Sequence, residues 1–215
     1  MLTFAIGDIH GCHDKLVRIL AECETYAGSA RHRLVFLGDY IDRGENSRAV
    51  LELLIQLESR RGDVICLAGN HEEMLIRSVE DPFANTKWLS NGGVETLESY
   101  SEVGGMRLLD QHTRWLSQLP LQFDDGLRFF VHAGVDVSKP LNEQSKEDLL
   151  WIREPFLSFE GELERLIVHG HTPVKNGPEV RLNRVNLDTG AVYDRSLTAG
   201  IFDHVQRLPI GFLSA

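Results

Sequence analysis

The sequence predicts an α/β protein whose buried parallel strands deliver polar residues to one edge of a sheet. Three observations carry that prediction. Short apolar runs at 2–6, 34–37 and 64–68 each close on a glycine and a polar residue: Gly7-Asp8, Gly38-Asp39 and Gly69-Asn70. Those polar residues recur every 31 positions, the length of one βαβ unit. The stretches between them, 13–27 and 46–60, place Leu16, Ile19 and Leu20, then Val50, Leu51, Leu54 and Leu57, at helical spacing.

Each element follows from its own residues. Runs such as Leu34-Val35-Phe36-Leu37 are apolar throughout, as suits a strand covered on both faces. Two right-handed crossovers set the first three strands side by side. Their polar ends then gather where open α/β sheets bind ligands. The segment 79–119 reads as mostly helical, with Trp88, Tyr100 and Trp115 as core aromatics and Asn91-Gly92-Gly93 as a turn or an anion nest. Leu121-Gln122-Phe123, the turn Asp124-Asp125-Gly126 and the run 127–131 read as a hairpin. That run leads into His132-Ala133-Gly134, and Leu166-Ile167-Val168 leads into His169-Gly170-His171. Alternation over 180–187 and 196–205 predicts antiparallel strands. Without a repeat or a linker, residues 1–215 read as one domain.

Composition narrows the function. With 22 basic and 32 acidic residues the net charge is -10, which repels nucleic acid and anionic membranes. Neither is expected as a partner. No apolar run approaches the roughly 20 residues of a membrane span. The N-terminus lacks the basic start of a signal peptide. Cys12, Cys23 and Cys66 are an odd set without CxxC spacing, so reduced thiols and a cytoplasmic setting are expected.

The residues delivered to the sheet edge are Asp8, His10, Asp39, Asn70, His132 and His171. Carboxylate, amide and imidazole together suit Mn, Fe or Zn, and the absence of sulfur argues against a closed structural zinc site. A single strand-end Asp would read as a helix cap, and a single His as a structural residue. Five strands ending alike point to a shared site. Glu72 and Glu73 read mainly as solvated acids, with Glu72 able to support His71 from behind, and His169 as a support behind the ligands or a structural residue.

These motifs together resemble a known family. Gly7-Asp8-Ile9-His10-Gly11, Gly38-Asp39-Tyr40-Ile41-Asp42-Arg43-Gly44 and Gly69-Asn70-His71-Glu72 are similar to the signatures of the PPP-type metallophosphoesterases. His132-Ala133-Gly134, Trp151-Ile152-Arg153, Gly170-His171-Thr172-Pro173 and Asp188-Thr189-Gly190-Ala191 follow in the family's order. The nearest resemblance is to compact bacterial and phage-lambda-type Ser/Thr phosphatases. It implies a four-layer αββα sandwich and a dinuclear centre, most simply two Mn ions, with Fe or Zn as alternatives. Asp8, His10 and Asp39 would hold one ion; Asp39, shared, with Asn70, His132 and His171 would hold the other. A hydroxide held by the metals would attack the phosphate, neutralised by metals about 3.5–4 Å apart. His71 would be the general acid, oriented by Asp42, and Arg43, Arg153, Asn70 and His71 would bind the phosphate. Pro173 stands where many relatives in the wider superfamily carry a second histidine, which leaves the first metal more open.

The expected substrate is a phosphoserine or phosphothreonine in a protein or peptide. Diadenosine polyphosphates are the alternative, and an inactive phospho-binding module is a third, disfavoured by the unbroken motifs. Over 79–119, Lys87, Arg107 and Arg114 face Glu80, Asp81, Glu95, Glu98, Glu102 and Asp110. That balance disfavours a groove for a polyphosphate chain.

Overall fold

The computed structural model describes residues 1–79, 81–101 and 105–215. Strand β1 (Leu2–Ile6) leads to α1 (His13–Ala27), β2 (His32–Phe36), α2 (Ser47–Arg60), β3 (Val64–Cys66) and α3 (Asn70–Ser78). A helical arm follows: α4 (Pro82–Trp88), a kinked turn, α5 (Val94–Ser99) and α6 (Gly105–Leu116). Then come β4 (Gln122–Asp124), β5 (Arg128–Val131), α7 (Lys146–Trp151), β6 (Leu166–His169), β7 (Glu179–Val180), β8 (Arg184–Asn186), β9 (Thr198–Phe202) and β10 (Gly211–Ser214).

Among the described residues the strands form two mixed sheets, ordered β10-β9-β1-β2-β3 and β4-β5-β6-β8-β7. The βαβαβ reading holds, since β1, β2 and β3 pair in parallel. The 122–131 hairpin also forms, with β4 antiparallel to β5.

Strands β1, β2 and β3 alternate between two cores. Phe4, Ile6, Leu34, Phe36, Val64 and Cys66 face the layer of α1 and α2. Ala5, Val35, Leu37 and Leu67 face inward, against Phe130, Leu166, Val168 and Val185 of the second sheet. This gives the strands their period of two although apolar side chains face both ways. Beyond the second sheet, Phe129, Val131 and Ile167 pack with Leu149 and Phe156. The sandwich therefore has four layers, the last of them thin: α7 and irregular chain.

The C-terminal third departs from the expected pattern. Residues 180–187 are not one strand. The chain turns at 181–183, where Leu182 is 90% exposed, and Arg181 N–H bonds back to Arg184 O at 2.8 Å. The second half, β8, pairs antiparallel with β7, as expected of this stretch, and parallel with β6 on its other side. In 196–205 the strand is β9, which runs antiparallel to β1. Sequence alternation did not reveal β10, an edge strand with partly exposed residues.

Candidate active site

The ends of β1, β2, β3, β5 and β6 converge at the junction of the two sheets. They bring Asp8, His10, Asp39, Asn70, His132 and His171 together, all buried. The local backbone is strained to do so. His10 (φ 46°), Asp39 (53°), Asp42 (73°), Arg43 (69°) and His171 (67°) adopt left-handed conformations. Such residues persist where surrounding structure holds them. Glu72 is the main holder, which corrects its reading as a solvated acid. Its carboxylate is fully buried and accepts the N–H of Asp39 and Gly69 at 2.8 Å each and of Tyr40 at 2.9 Å. An acid at the third position of a helix reaches back to such N–H groups, so the first turn of α3 locks the loop after β2. Glu73 is likewise buried, accepting the Trp151 indole N–H at 2.7 Å and pairing with Arg77 and Lys146.

The donor atoms fit divalent cations. Asp39 is central. Its Oδ2 lies 3.5 Å from His10 Nε2 and 3.9 Å from His71 Nε2, and its Oδ1 lies 3.4 Å from His132 Nε2. Two groups of close ligand atoms share it: His10, Asp39 and His71, and Asp39, His132 and His171. His10 Nδ1 is engaged by Ile41 O at 2.8 Å and His132 Nδ1 by Leu37 O at 2.9 Å. Those bonds orient the rings and leave each Nε2 facing Asp39, the arrangement usual around metal-ligating histidines. Asn70 Oδ1 lies 2.8 Å from both His132 Nε2 and His171 Nδ1. Burial lowers His10 and His171 to about 3 and lowers His132 as well, keeping the imidazoles neutral, as metal ligands require. Burial, Asp188 and Asp39 raise Asp8, so the carboxylate cluster calls for positive charge.

Asp8 is placed differently from the expected ligand set. Its oxygens accept the His171 N–H at 3.1 and 3.2 Å and belong to neither group of close ligand atoms, whereas His71 joins the first group. Asp188, in a motif to which the sequence attached no role, is a further buried member. Its signal was its position directly after the buried stretch Val185-Asn186-Leu187.

His71 and Asp42 form a pair, with Nδ1 2.7 Å from Asp42 Oδ2. Burial opposes charge on His71, but Asp39 and the Asp42 hydrogen bond prevail and raise it. Arg43 donates to His10 Nε2 at 2.7 Å and to His71 Nε2 at 2.8 Å. Its guanidinium thus faces the cluster, where a cation is wanted. Trp88, read as core, is buried and also donates its indole N–H to Asp42; Thr96, which sequence reasoning missed, bonds there too. No local sequence signal marks either, because the contacts span about fifty positions. His169 is structural as expected, buried against Phe156.

An open cavity of about 540 Å³ lies over these groups, floored by Asp39, Asn70, His71 and His171. Arg43 and Arg153 line it from two sides, and Trp151, Glu147, Asp148 and Glu154 form its outer wall. The arm contributes Asn91. Of the charges counted over 79–119, Glu80 and Glu102 lie outside the described residues, and none of the others lines the cavity. Apart from Asp39, the acids that line the cavity come from 147–154.

The calcineurin-like phosphoesterase family profile matches residues 1–194. The chain belongs to that family. Its relatives include serine/threonine-protein phosphatase 1 of Salmonella typhimurium, 31% identical over 91% of this chain and 89% of that protein. The asymmetrical bis(5'-nucleosyl)-tetraphosphatase PrpE of Anoxybacillus flavithermus is 30% identical, over 93% and 89%. Among solved structures, one provisionally described as a diadenosine tetraphosphatase superposes with a TM-score of 0.74 at 22% identity, over all of this chain and 92% of that one. A serine/threonine phosphatase from Saccharomyces cerevisiae gives 0.65 at 16% identity, over 100% and 80%. At such identities the superpositions speak for the fold alone. Family membership makes the chain a metallophosphoesterase, and the buried His/Asp groups are where it could hold metal.

Proposed function

We propose that this chain is a manganese-dependent phosphoprotein phosphatase that hydrolyses phosphoserine and phosphothreonine monoesters. One observation carries the substrate reading: the outer wall of the cavity bears Glu147, Asp148 and Glu154, while its cations are Arg43 and Arg153. Two arginines suit one phosphate, since each guanidinium forks onto two oxygens. The acidic wall suits a peptide with basic flanks and opposes a chain of several phosphates. A cytoplasmic setting is in keeping with three free cysteines.

Asp8, His10, Asp39, Asn70, His132 and His171 would hold two divalent ions, and these when bound supply an activated water and neutralise the phosphate. The chain's own groups do the rest. Arg43 turns from the imidazoles onto the phosphate oxygens, and Arg153 closes from the exposed side. His71, with Nδ1–H held by Asp42, presents Nε2 to the leaving oxygen and donates its proton there, since an alkoxide departs poorly without one. Asn70, at the cavity floor, would contact that phosphate.

The Anoxybacillus relative, a bis(5'-nucleosyl)-tetraphosphatase, favours a second reading, cleavage of dinucleoside polyphosphates. Comparing kcat/KM of the Mn-loaded protein on phosphopeptides and diadenosine tetraphosphate decides between them. The phosphopeptides should lead, those with lysine or arginine beside the phosphoresidue most of all, with the preference fading as salt rises. A tenfold advantage for the tetraphosphate, about 1.4 kcal/mol of transition-state binding, would reverse the assignment.

A further inference from the structure

The helical arm meets the candidate site on the proton-donating pair. Trp88, at the end of α4, donates its indole N–H to both oxygens of Asp42 at 3.0 Å. Thr96, on α5, donates its hydroxyl to Oδ1 at 2.7 Å and accepts the Asp42 N–H at 2.9 Å. His71 takes the remaining direction, at Oδ2. Asp42 is fully buried, as is Thr96, and Trp88 is nearly so, so bulk water does not reach the carboxylate. The next peptide is tied to the same arm, since Arg43 N–H bonds to Gly92 O at 3.0 Å. Asp42 sits on a strained turn with φ 73°. Its carboxylate is therefore aimed by donors about fifty residues downstream, not by its own loop.

We propose that Trp88 and Thr96 are positioning residues for proton donation. They hold the Asp42 carboxylate toward His71 Nδ1, so that Nε2 stays directed into the cavity. The inference rests on reading His71 as the general acid and extends it to the arm.

The test compares kcat on a phosphoserine peptide with kcat on p-nitrophenyl phosphate, whose leaving group needs almost no proton. Trp88→Phe and Thr96→Val should each lose about tenfold or more on the peptide, the effect of losing at least one hydrogen bond to a charged group. On p-nitrophenyl phosphate they should lose less than about threefold, because acid assistance matters little there. Bound metal should be unchanged, and Thr96→Ser should restore the peptide rate. Trp115→Phe is the control: it removes an indole bond to a carboxylate, Glu58, at 2.7 Å, and should not discriminate between the substrates. If Trp88→Phe does not fold, the Thr96 pair decides, together with the Trp88 indole N–H resonance, which should move in Asp42→Asn. Equal losses on both substrates, or an unmoved resonance, overturn the inference while His71→Asn still discriminates. If His71→Asn itself fails to discriminate, the general-acid reading falls and the inference falls with it.

Discussion

Gly69→Ala tests how tightly the site is built. Gly69 has φ -105° and ψ 176°, angles that any residue adopts, so only space is at issue. A methyl there would lie 2.7 Å from Glu72 Oε2 and well inside contact distance of Asp39 N and Oδ1. Asp39 N cannot retreat freely, because it is main chain and its N–H is held by Glu72. Its carboxylate in turn accepts the His71 N–H at 3.0 Å. Over-packing usually costs about 1–3 kcal/mol. An obstacle made of backbone and three shared hydrogen bonds puts the expected cost near the top, about 3 kcal/mol. For a chain of 215 residues that lowers Tm by roughly 6–12 °C. Calorimetry on the metal-free protein measures this, and titration calorimetry with Mn should show weaker binding as Asp39 is displaced. Gly62→Ala is the matched control, since nothing lies within 4 Å of its added methyl; its effect should stay within about 0.5 kcal/mol. A Gly69→Ala protein melting within 2 °C of wild type, roughly 1 kcal/mol at this size, and binding Mn equally well would refute this account of the packing.

Three further outcomes are expected. Chelation should abolish phosphatase activity and Mn should restore it, and Asp39→Asn should lose the most metal among the candidate ligands, measured by elemental analysis; full activity after verified demetallation would contradict the metal-dependent reading. His71→Asn should lower kcat on phosphopeptides by roughly 10²–10⁴-fold, with a smaller loss on p-nitrophenyl phosphate; equal losses would assign His71 another role. Arg153→Ala should weaken inhibition by inorganic phosphate with metal content unchanged, and Arg153→Lys should restore it only in part, because a point charge lacks the two-pronged contact; wild-type inhibition in Arg153→Ala would return that residue to the solvated surface.

The sequence by itself determined the scaffold of the site. Strand ends 31 residues apart make Asp8, Asp39 and Asn70 neighbours once the strands pair in parallel, because each βαβ crossover returns the chain to the same edge. The same local logic placed His132 and His171, since each follows directly on a buried run. Tertiary structure decided what surrounds those ligands. Glu72 reads as one more helix acid until the loop after β2 folds over it and makes it the acceptor of three main-chain N–H groups. Trp88 and Thr96 lie about fifty positions from Asp42; the reading of Trp88 as a core aromatic says nothing about which carboxylate it meets, and Thr96 carries no signal of its own. The split of 180–187 into β7 and β8 also escaped the pattern, because alternation is a property of one strand and the choice of partner strand is not. Local periodicity encodes which face of an element is buried. Only the packed chain settles which buried polar groups satisfy one another, because that requirement is met across space rather than along the sequence.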